Sequence, residues 1–189
     1  MKQWAEAGIL KRIYDKNGSY TSSFMASRLW VADYAAKNEI GKVLDFNELA
    51  ESSGDKTGKG IKRLGVLRAD VDGLGAAFIA GFIHKENKNP EAYATLSRYA
   101  ALSRSMALFF RKIIKGICKK ELPEGIKPFY LFEDKDGEPR KIHVVYSGGD
   151  DLFLVGAWDD LMGFAVDLKR VFSVYTNGKL TFSAGLGLY

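Results

Sequence analysis

Cys118 is the chain's one thiol, so no internal disulfide and no cysteine-cluster zinc site can form. Histidine is nearly as scarce. His84 and His143 stand far apart, with no His-x-x-x-His pattern and no adjacent His-Asp pair, which excludes a histidine-built metallonuclease. In context, His84 reads as a loop residue and His143 as a strand residue. No apolar run approaches the roughly 18–20 residues that span a bilayer. MKQWAEAGILKRIYDKNGSY lacks an apolar core followed by a small-residue cleavage site, so neither a signal peptide nor a membrane partner is expected. A reducing, cytoplasmic setting is the simplest expectation. The common phosphate and hydrolase motifs are also missing. Lys59 follows Gly58, but Gly60 stands where a Walker A motif needs Ser or Thr. Gly73-x-Gly75 and Gly185-x-Gly187 are not completed to GxGxxG, and Ser147 has no GxSxG elbow.

What is there describes an ordinary globular chain. At 189 residues, 47% of them apolar, it can bury one good core with at most a small appendage. The net charge of +5 tolerates a polyanion without being a nucleic-acid signature. Its densest basic stretch, Arg111, Lys112, Lys115, Lys119 and Lys120, falls at a predicted helix end, where cations already complement the macrodipole. Either a solvated helix end or a contact to nucleic acid or a partner accounts for it.

Two regions differ in texture. Residues 1–62 form a small N-terminal β/α segment. ILKRIY and SRLWVADYA are β-like runs separated by the turn-rich Lys16-Asn17-Gly18-Ser19. DFNELAESS is a short helix with Asp45 as N-cap and Glu48 three residues on. GDKTGKG, residues 54–60, is a polar, mobile loop. From residue 63 to 189 the pattern tightens. LGVLRAD (64–70) reads as a strand and GLGAAFIAGFI (73–83) as a short helix. A long helix follows near 91–117, its apolar stripe running Leu96, Tyr99, Leu102, Met106, Phe109, Phe110, Ile113, Ile114 and Ile117. Residues 119–139 hold Pro123, Pro128 and Pro139 and read as a loop, with a small strand at FYLF. KIHVVY and DLFLVGA are β runs joined by Ser147-Gly148-Gly149-Asp150, a tight hairpin. DLMGFAVDLKRVFSVYT (160–176) is a second amphipathic helix, capped by Asp159 and ended by Asn177-Gly178. KLTFSAGLGL closes as a strand.

The order β, α, α, β, β, α, β is a ferredoxin-like split βαβ plan, an α+β palm with an antiparallel sheet and helices on one face. In it the second strand of the middle hairpin lies antiparallel to the first strand, so Asp70 comes close to Asp150 and Asp151. That convergence carries chemistry. Nucleotidyl transfer needs phosphate charge neutralised and a sugar hydroxyl activated, which two divalent cations about 3.5–4 Å apart can do. Mg2+ and Mn2+ prefer oxygen ligands and keep several waters, so a few carboxylates suffice. Asp70, the Val71 carbonyl, Asp150 and Asp151 are the candidate metal ligands, and Gly148 and Gly149 let backbone and phosphate approach. Each piece also has a plain structural reading: Asp70 and Asp72 can cap a helix starting at Gly73, and Gly148-Gly149-Asp150 can be only a turn. Together, uncompensated carboxylates repel, and a bound cation explains them better.

LGVLRADVDGLG, SRYAALSRSMALFF, VYSGGDDLFLVGAWDDL and LTFSAGLGL together resemble, from about Arg28 onward, the large subunit of type III-A (Csm-type) CRISPR effector complexes. The resemblance implies conversion of ATP to cyclic oligoadenylate second messengers when the complex, with its guide RNA and other type III-A subunits, binds target RNA. It implies that Asp70, Asp150 and Asp151 are catalytic metal ligands and that Gly148 and Gly149 lie against the triphosphate. It brings Ser97, with Ser103 and Arg104, toward nucleotide. Gly73 departs from the Asn common after DVD. The family's HD nuclease domain, first palm and zinc-binding cysteines have no counterpart in this sequence, nor do the helices and lysine-bearing segment that normally follow SAG. Two ATP molecules meet between two palms in such proteins, so this piece alone is expected to be poorly active.

Two alternatives stand beside this. A GGDEF-type diguanylate cyclase shares the palm and metal logic, but the hairpin reads GGDDL, Gly75 replaces the expected Lys, and no RxxD site precedes the turn. A catalytically silent palm serving as a ribonucleoprotein scaffold is the non-enzymatic reading, which the intact carboxylates oppose. A template-directed polymerase is chemically close but lacks a visible template-binding domain.

Overall fold

The structure, a computed structural model, describes residues 13–15, 26–28, 32–86 and 88–189. The chain divides into two compact units, Met1–Val31 and Ala32–Tyr189. In the first, β1 (Ile13–Asp15) and β2 (Ala26–Arg28) pair in parallel. These strands overlap the two β-like runs only in part. The Lys16–Ser19 turn lies outside the described residues.

The second unit carries the palm. Its sheet has four antiparallel strands in the order β4 (Ile142–Gly148), β5 (Asp151–Ala157), β3 (Leu64–Val71), β6 (Phe182–Leu188). That is the order of a ferredoxin-like plan. In β3, Gly65, Leu67, Ala69 and Val71 are buried, while Arg68 and Asp70 on the other face are exposed. The period-2 alternation of a strand thus puts the carboxylate on the open side of the sheet.

The helices are α1 (Phe46–Glu51), α2 (Leu74–Ala80), α3 (Leu96–Leu108), α4 (Ile114–Cys118) and α5 (Trp158–Tyr175), and those from α2 onward build the core on the opposite face. A π turn, Phe109–Ile113, joins α3 to α4. Leu161, Phe164, Leu168, Val171 and Phe172 of α5 are buried with Phe109, Phe110, Ile114 and Ile117 against Leu67, Leu152 and Leu154 of the sheet. Phe172 packs on Phe182 with ring centroids 4.3 Å apart, which joins α5 to β6. Each such side chain contributes about 1.5–3 kcal/mol by leaving water.

Residues 32–62 pack with the palm's unit. Ala36 N–H donates to Ile142 O (3.1 Å), and Val144 N–H to Tyr34 O (2.9 Å), covering part of the β4 edge. His143 is a brace: its Nδ1 accepts Ala36 N–H (3.1 Å) and its Nε2 lies 2.8 Å from Leu44 O. In α1 the expected capping box is complete, with Glu48 N–H donating to Asp45 Oδ1 and Asp45 N–H to Glu48 Oε2. The 54–60 stretch folds as a self-bonded turn: Lys59 N–H and Thr57 Oγ1–H both donate to Asp55 Oδ1.

Three local expectations are corrected. The long helix begins at Leu96, not near 91, because 91–95 are used in turns bonded to Glu91 O and Tyr93 O; Leu96, placed at the first turn, is 86% exposed. FYLF forms no strand, since Phe129 N–H donates to both carboxylate oxygens of Asp167 and not to a neighbouring strand. Asp159 does not cap α5. The helix starts earlier, with Ala157 at the N-cap position, and the Asp159 carboxylate pairs with Lys135 Nζ at 2.5 Å.

Beneath this lies a buried ionic knot. Arg140, 1% exposed, donates to Asp167 Oδ2 (2.5 Å), Phe129 O (3.1 Å) and Asp160 O (3.3 Å). Asp160 Oδ2 in turn accepts Lys141 N–H (2.8 Å). The 129–141 segment is thereby fastened to α5 at the entry to β4.

Candidate functional site

Strand register assembles the site. Asp70 on β3 is the direct cross-strand partner of Asp151 on β5, and Asp151 is opposite Gly148 across the hairpin. Gly149 and Asp150 form the two-residue turn. Gly149 has φ +67°, a left-handed conformation that glycine adopts without Cβ strain. Val71 N–H donates to Asp150 O (3.1 Å), tying the tip of the hairpin to the end of β3. One carboxylate oxygen from each of Asp70, Asp150 and Asp151 then lies within 4.8 Å of the others, all three side chains exposed. Among the described residues none of the three has an ion-pair partner.

Three hard oxygen donors gathered at bridging distance, with no ion-pair partner among the described residues, fit a Mg2+- or Mn2+-type ion. The Val71 carbonyl belongs to the same strand end as Asp70 and can add a neutral oxygen.

Asp72 behaves differently. Its carboxylate accepts Ser183 Oγ–H at Oδ1 and Thr181 Oγ1–H at Oδ2, each at 2.6 Å, while its N–H donates to Thr181 O (2.8 Å). The bonds from Ser183 and Thr181 hold its carboxyl below the usual carboxylate range. Gly73, with φ +65°, takes the N-cap position of α2. Neither Asp70 nor Asp72 caps that helix.

Beside the triad opens a cleft of about 450 Å³ between α2, α3 and the hairpin tip. Phe78 and Met106 give it an apolar floor, Ser103 and Arg111 give it polar groups, and Gly149 and Asp150 form its rim. Ser97, six residues before Ser103 on α3, is exposed and does not line this cleft.

Ser147 is the residue that sequence reasoning passed over. In β4, Val144 opposes Leu154, but Tyr146 opposes Phe153 and Ser147 opposes Leu152, leaving Val145 as a bulge. The bulge returns Ser147 to the helix side of the sheet. There its Oγ–H donates to Phe110 O (2.7 Å), a carbonyl inside the π turn, where Ile114 N–H reaches back to Phe109 O. Two irregular elements of the kind found near functional sites thus meet in one hydrogen bond, next to the Gly-Gly-Asp-Asp turn. A hydroxyl immediately before Gly-Gly was the visible signal; the bulge that aims it was not.

Residues 63–189 match the family described as Cas10/Cmr2, second palm domain. The chain belongs to this Cas10 family. Two curated proteins similar to it share the name CRISPR system single-strand-specific deoxyribonuclease Cas10/Csm1 (subtype III-A). The one from Mycobacterium tuberculosis is 41% identical over 95% of this chain and 20% of its own length. The one from Streptococcus thermophilus is 39% identical over 94% of this chain and 20% of its own. This Cas10 chain therefore spans about a fifth of the curated relatives it matches. Among solved structures, a Csm1–Csm4 cassette in complex with one ATP aligns with TM-score 0.72 and 35% identity, covering 95% of this chain and 23% of that one. A cassette in complex with cA4 aligns with TM-score 0.73 and 35% identity, covering 95% and 24%. No helix among the described residues of this Cas10 palm is long and apolar enough to cross a membrane.

Proposed function

We propose that this chain is the metal-dependent nucleotidyltransferase palm of a type III-A CRISPR effector subunit, acting on ATP to make cyclic oligoadenylates when the assembled, cytoplasmic complex recognises target RNA through its guide RNA. The observation that carries the proposal is the convergence of Asp70, Asp150 and Asp151 to within 4.8 Å at a hairpin tip, on a Cas10 palm. The palm-bearing relatives solved with ATP and with cA4 support adenine nucleotides as substrate and product.

The residues divide the work by chemistry. Bound at the triad, Mg2+ or Mn2+ supplies charge neutralisation for the triphosphate and lowers the pKa of an attacking hydroxyl. The carboxylates of Asp70, Asp150 and Asp151, with the Val71 carbonyl, would hold it. Gly148 and Gly149 carry no side chain between the hairpin and a phosphate. The cleft beside the triad offers Phe78 and Met106 as an apolar bed for a base or sugar, and Arg111 as a cation for phosphate oxygens. Ser103 is placed to bond the same ligand; Ser97 acts on it only from outside the cleft. An electrostatic site of this type requires its donors fixed in advance, which the Val71–Asp150 bond provides.

Calorimetry with Mn2+ and ATP tests the binding half of this reading, and oligoadenylate synthesis by the full-length subunit in its complex tests the chemistry. Asp150→Ala with Asp151→Ala abolishes both. Metal-dependent nucleotide binding that survives the double substitution would refute the triad, and cyclic dinucleotide formed from GTP would favour the cyclase alternative.

A further inference from the structure

We infer that Asp72 is a positioning residue for the metal site: it captures the Ser183 hydroxyl, which would otherwise bond to Asp70, and so keeps the Asp70 carboxylate free for the cation. This rests on the metal-dependent reading above and adds a role for three residues outside the triad.

The register makes the competition explicit. Ser183 on β6 is the cross-strand partner of Asp70 on β3, so the two side chains stand on the same face of the sheet. Directly opposite residues in an antiparallel pair hold their Cβ atoms about 4.5–5.5 Å apart, within reach of a serine–carboxylate hydrogen bond. A serine hydroxyl has one proton to donate. In the structure it goes to the diagonal neighbour, Asp72 Oδ1, at 2.6 Å.

Asp72 secures that choice with two further bonds. Thr181 Oγ1–H donates to its other oxygen at 2.6 Å, and its own N–H donates to Thr181 O at 2.8 Å. Two hydroxyls therefore hold the Asp72 carboxylate, one on each oxygen, while the third bond ties its backbone to Thr181, the residue just before β6. Asp72 lies outside the cluster formed by Asp70, Asp150 and Asp151. Of four acidic residues at this corner, three face one another and the fourth is engaged by hydroxyls.

The arrangement has a chemical purpose under the metal reading. A carboxylate that accepts a hydroxyl proton offers fewer lone pairs to a cation and is turned toward its donor. Outer partners of metal ligands commonly change affinity by 10–100-fold when removed. Here the outer partner works by diverting a donor from the ligand. Asp72 with Thr181 and Ser183 forms one unit, and the Asp-Val-Asp spacing follows from it: the first carboxylate faces the cation, and the second, two residues on and on the same face, takes the hydroxyls.

A double-mutant cycle in the 189-residue chain separates this from loss of charge or of structure. Mn2+ binding is measured by electron paramagnetic resonance of the free ion, with circular dichroism confirming the fold of each variant. Asp72→Ala weakens Mn2+ binding about tenfold. Ser183→Ala alone leaves it unchanged. Asp72→Ala with Ser183→Ala recovers most of the loss, because the competing hydroxyl is gone, although the charge of Asp72 is still absent. Where Asp72→Ala does not fold, Asp72→Asn retains one oxygen acceptor and gives a smaller loss that Ser183→Ala again relieves. A double variant as weak as Asp72→Ala would overturn the inference, and so would unchanged binding in Asp72→Ala. Both results leave the metal reading standing. Mn2+ binding that ignores Asp150→Ala with Asp151→Ala would instead remove that reading and this inference with it.

Discussion

Replacing Arg140 by methionine tests how the palm holds its base together. Methionine fills much of the side-chain volume, so the cavity contribution is small, but the guanidinium's bonds are lost. Those are the ion pairs to Asp167 and, at 3.7 Å, to Asp160, and the donations to Phe129 O and Asp160 O. What remains is a fully buried Asp167 carboxylate with Phe129 N–H and a long, half-exposed ion pair to Arg170 (3.9 Å) to satisfy it. Removing one partner of a buried pair costs about 3–5 kcal/mol. For a domain of this size that corresponds to a melting temperature lower by roughly 10 °C. Burial already pushes the Asp167 carboxyl up, with Arg140 as the principal opposing influence. Without Arg140 the folded state binds a proton more tightly than the unfolded chain does. The deficit of Arg140→Met is therefore small at acid pH, where Asp167 is protonated in both states, and grows as pH rises through the carboxylate range. Urea unfolding followed by circular dichroism measures it. Adding Asp167→Asn removes the orphaned charge but keeps an oxygen for Phe129 N–H, and restores much of the stability, leaving about 1–2 kcal/mol from unpaired carbonyls. A single variant that loses under about 1 kcal/mol, or a double variant no more stable than the single, would refute the reasoning.

Two further outcomes follow from the same packing. Ser147→Ala deletes the donor to Phe110 O and lowers stability by about 1 kcal/mol, and it also weakens Mn2+–ATP binding, because the hairpin loses its tether to α3; calorimetry showing intact nucleotide affinity would contradict the second half. Cys118 is fully buried and burial pushes its thiol up, so iodoacetamide leaves the native chain unmodified by mass spectrometry and labels it once urea unfolds it.

Much of this was legible in the sequence because it is local. The 3.6-residue stripe on α5 and the alternation in β3 name their buried residues directly, and the plan that orders the strands then brings Asp70 to Asp151. The buried charges were not legible. Asp160, Asp167 and Arg140 have the composition of a solvated surface, and only the tertiary partner shows that each is paired inside. The π turn escaped for a related reason: Phe109, Phe110, Ile113 and Ile114 fit a regular apolar stripe whether or not one helical bond is lengthened. Ser97 and Ser103 lie on the same helix, and choosing between them required knowing where the hairpin tip lands. Thr181 and Ser183, two residues apart on one strand face, carried a signal that has meaning only once β6 is placed beside Asp72.

The bulge at Val145 implies that β4 is more sensitive to its pairing register than to its composition. Val145 is exposed and pairs with nothing across the ladder, so many side chains fit there. Its deletion would leave Val144, Tyr146 and Ser147 in strict alternation with Ser147 still on the side of Phe110, whereas flattening the bulge with Val145 retained would turn Ser147 to the opposite side. A one-residue slip of the ladder at this point, invisible to any measure of hydrophobicity, would thus unhook the hairpin from the helical layer while every carboxylate of the triad stayed in the chain.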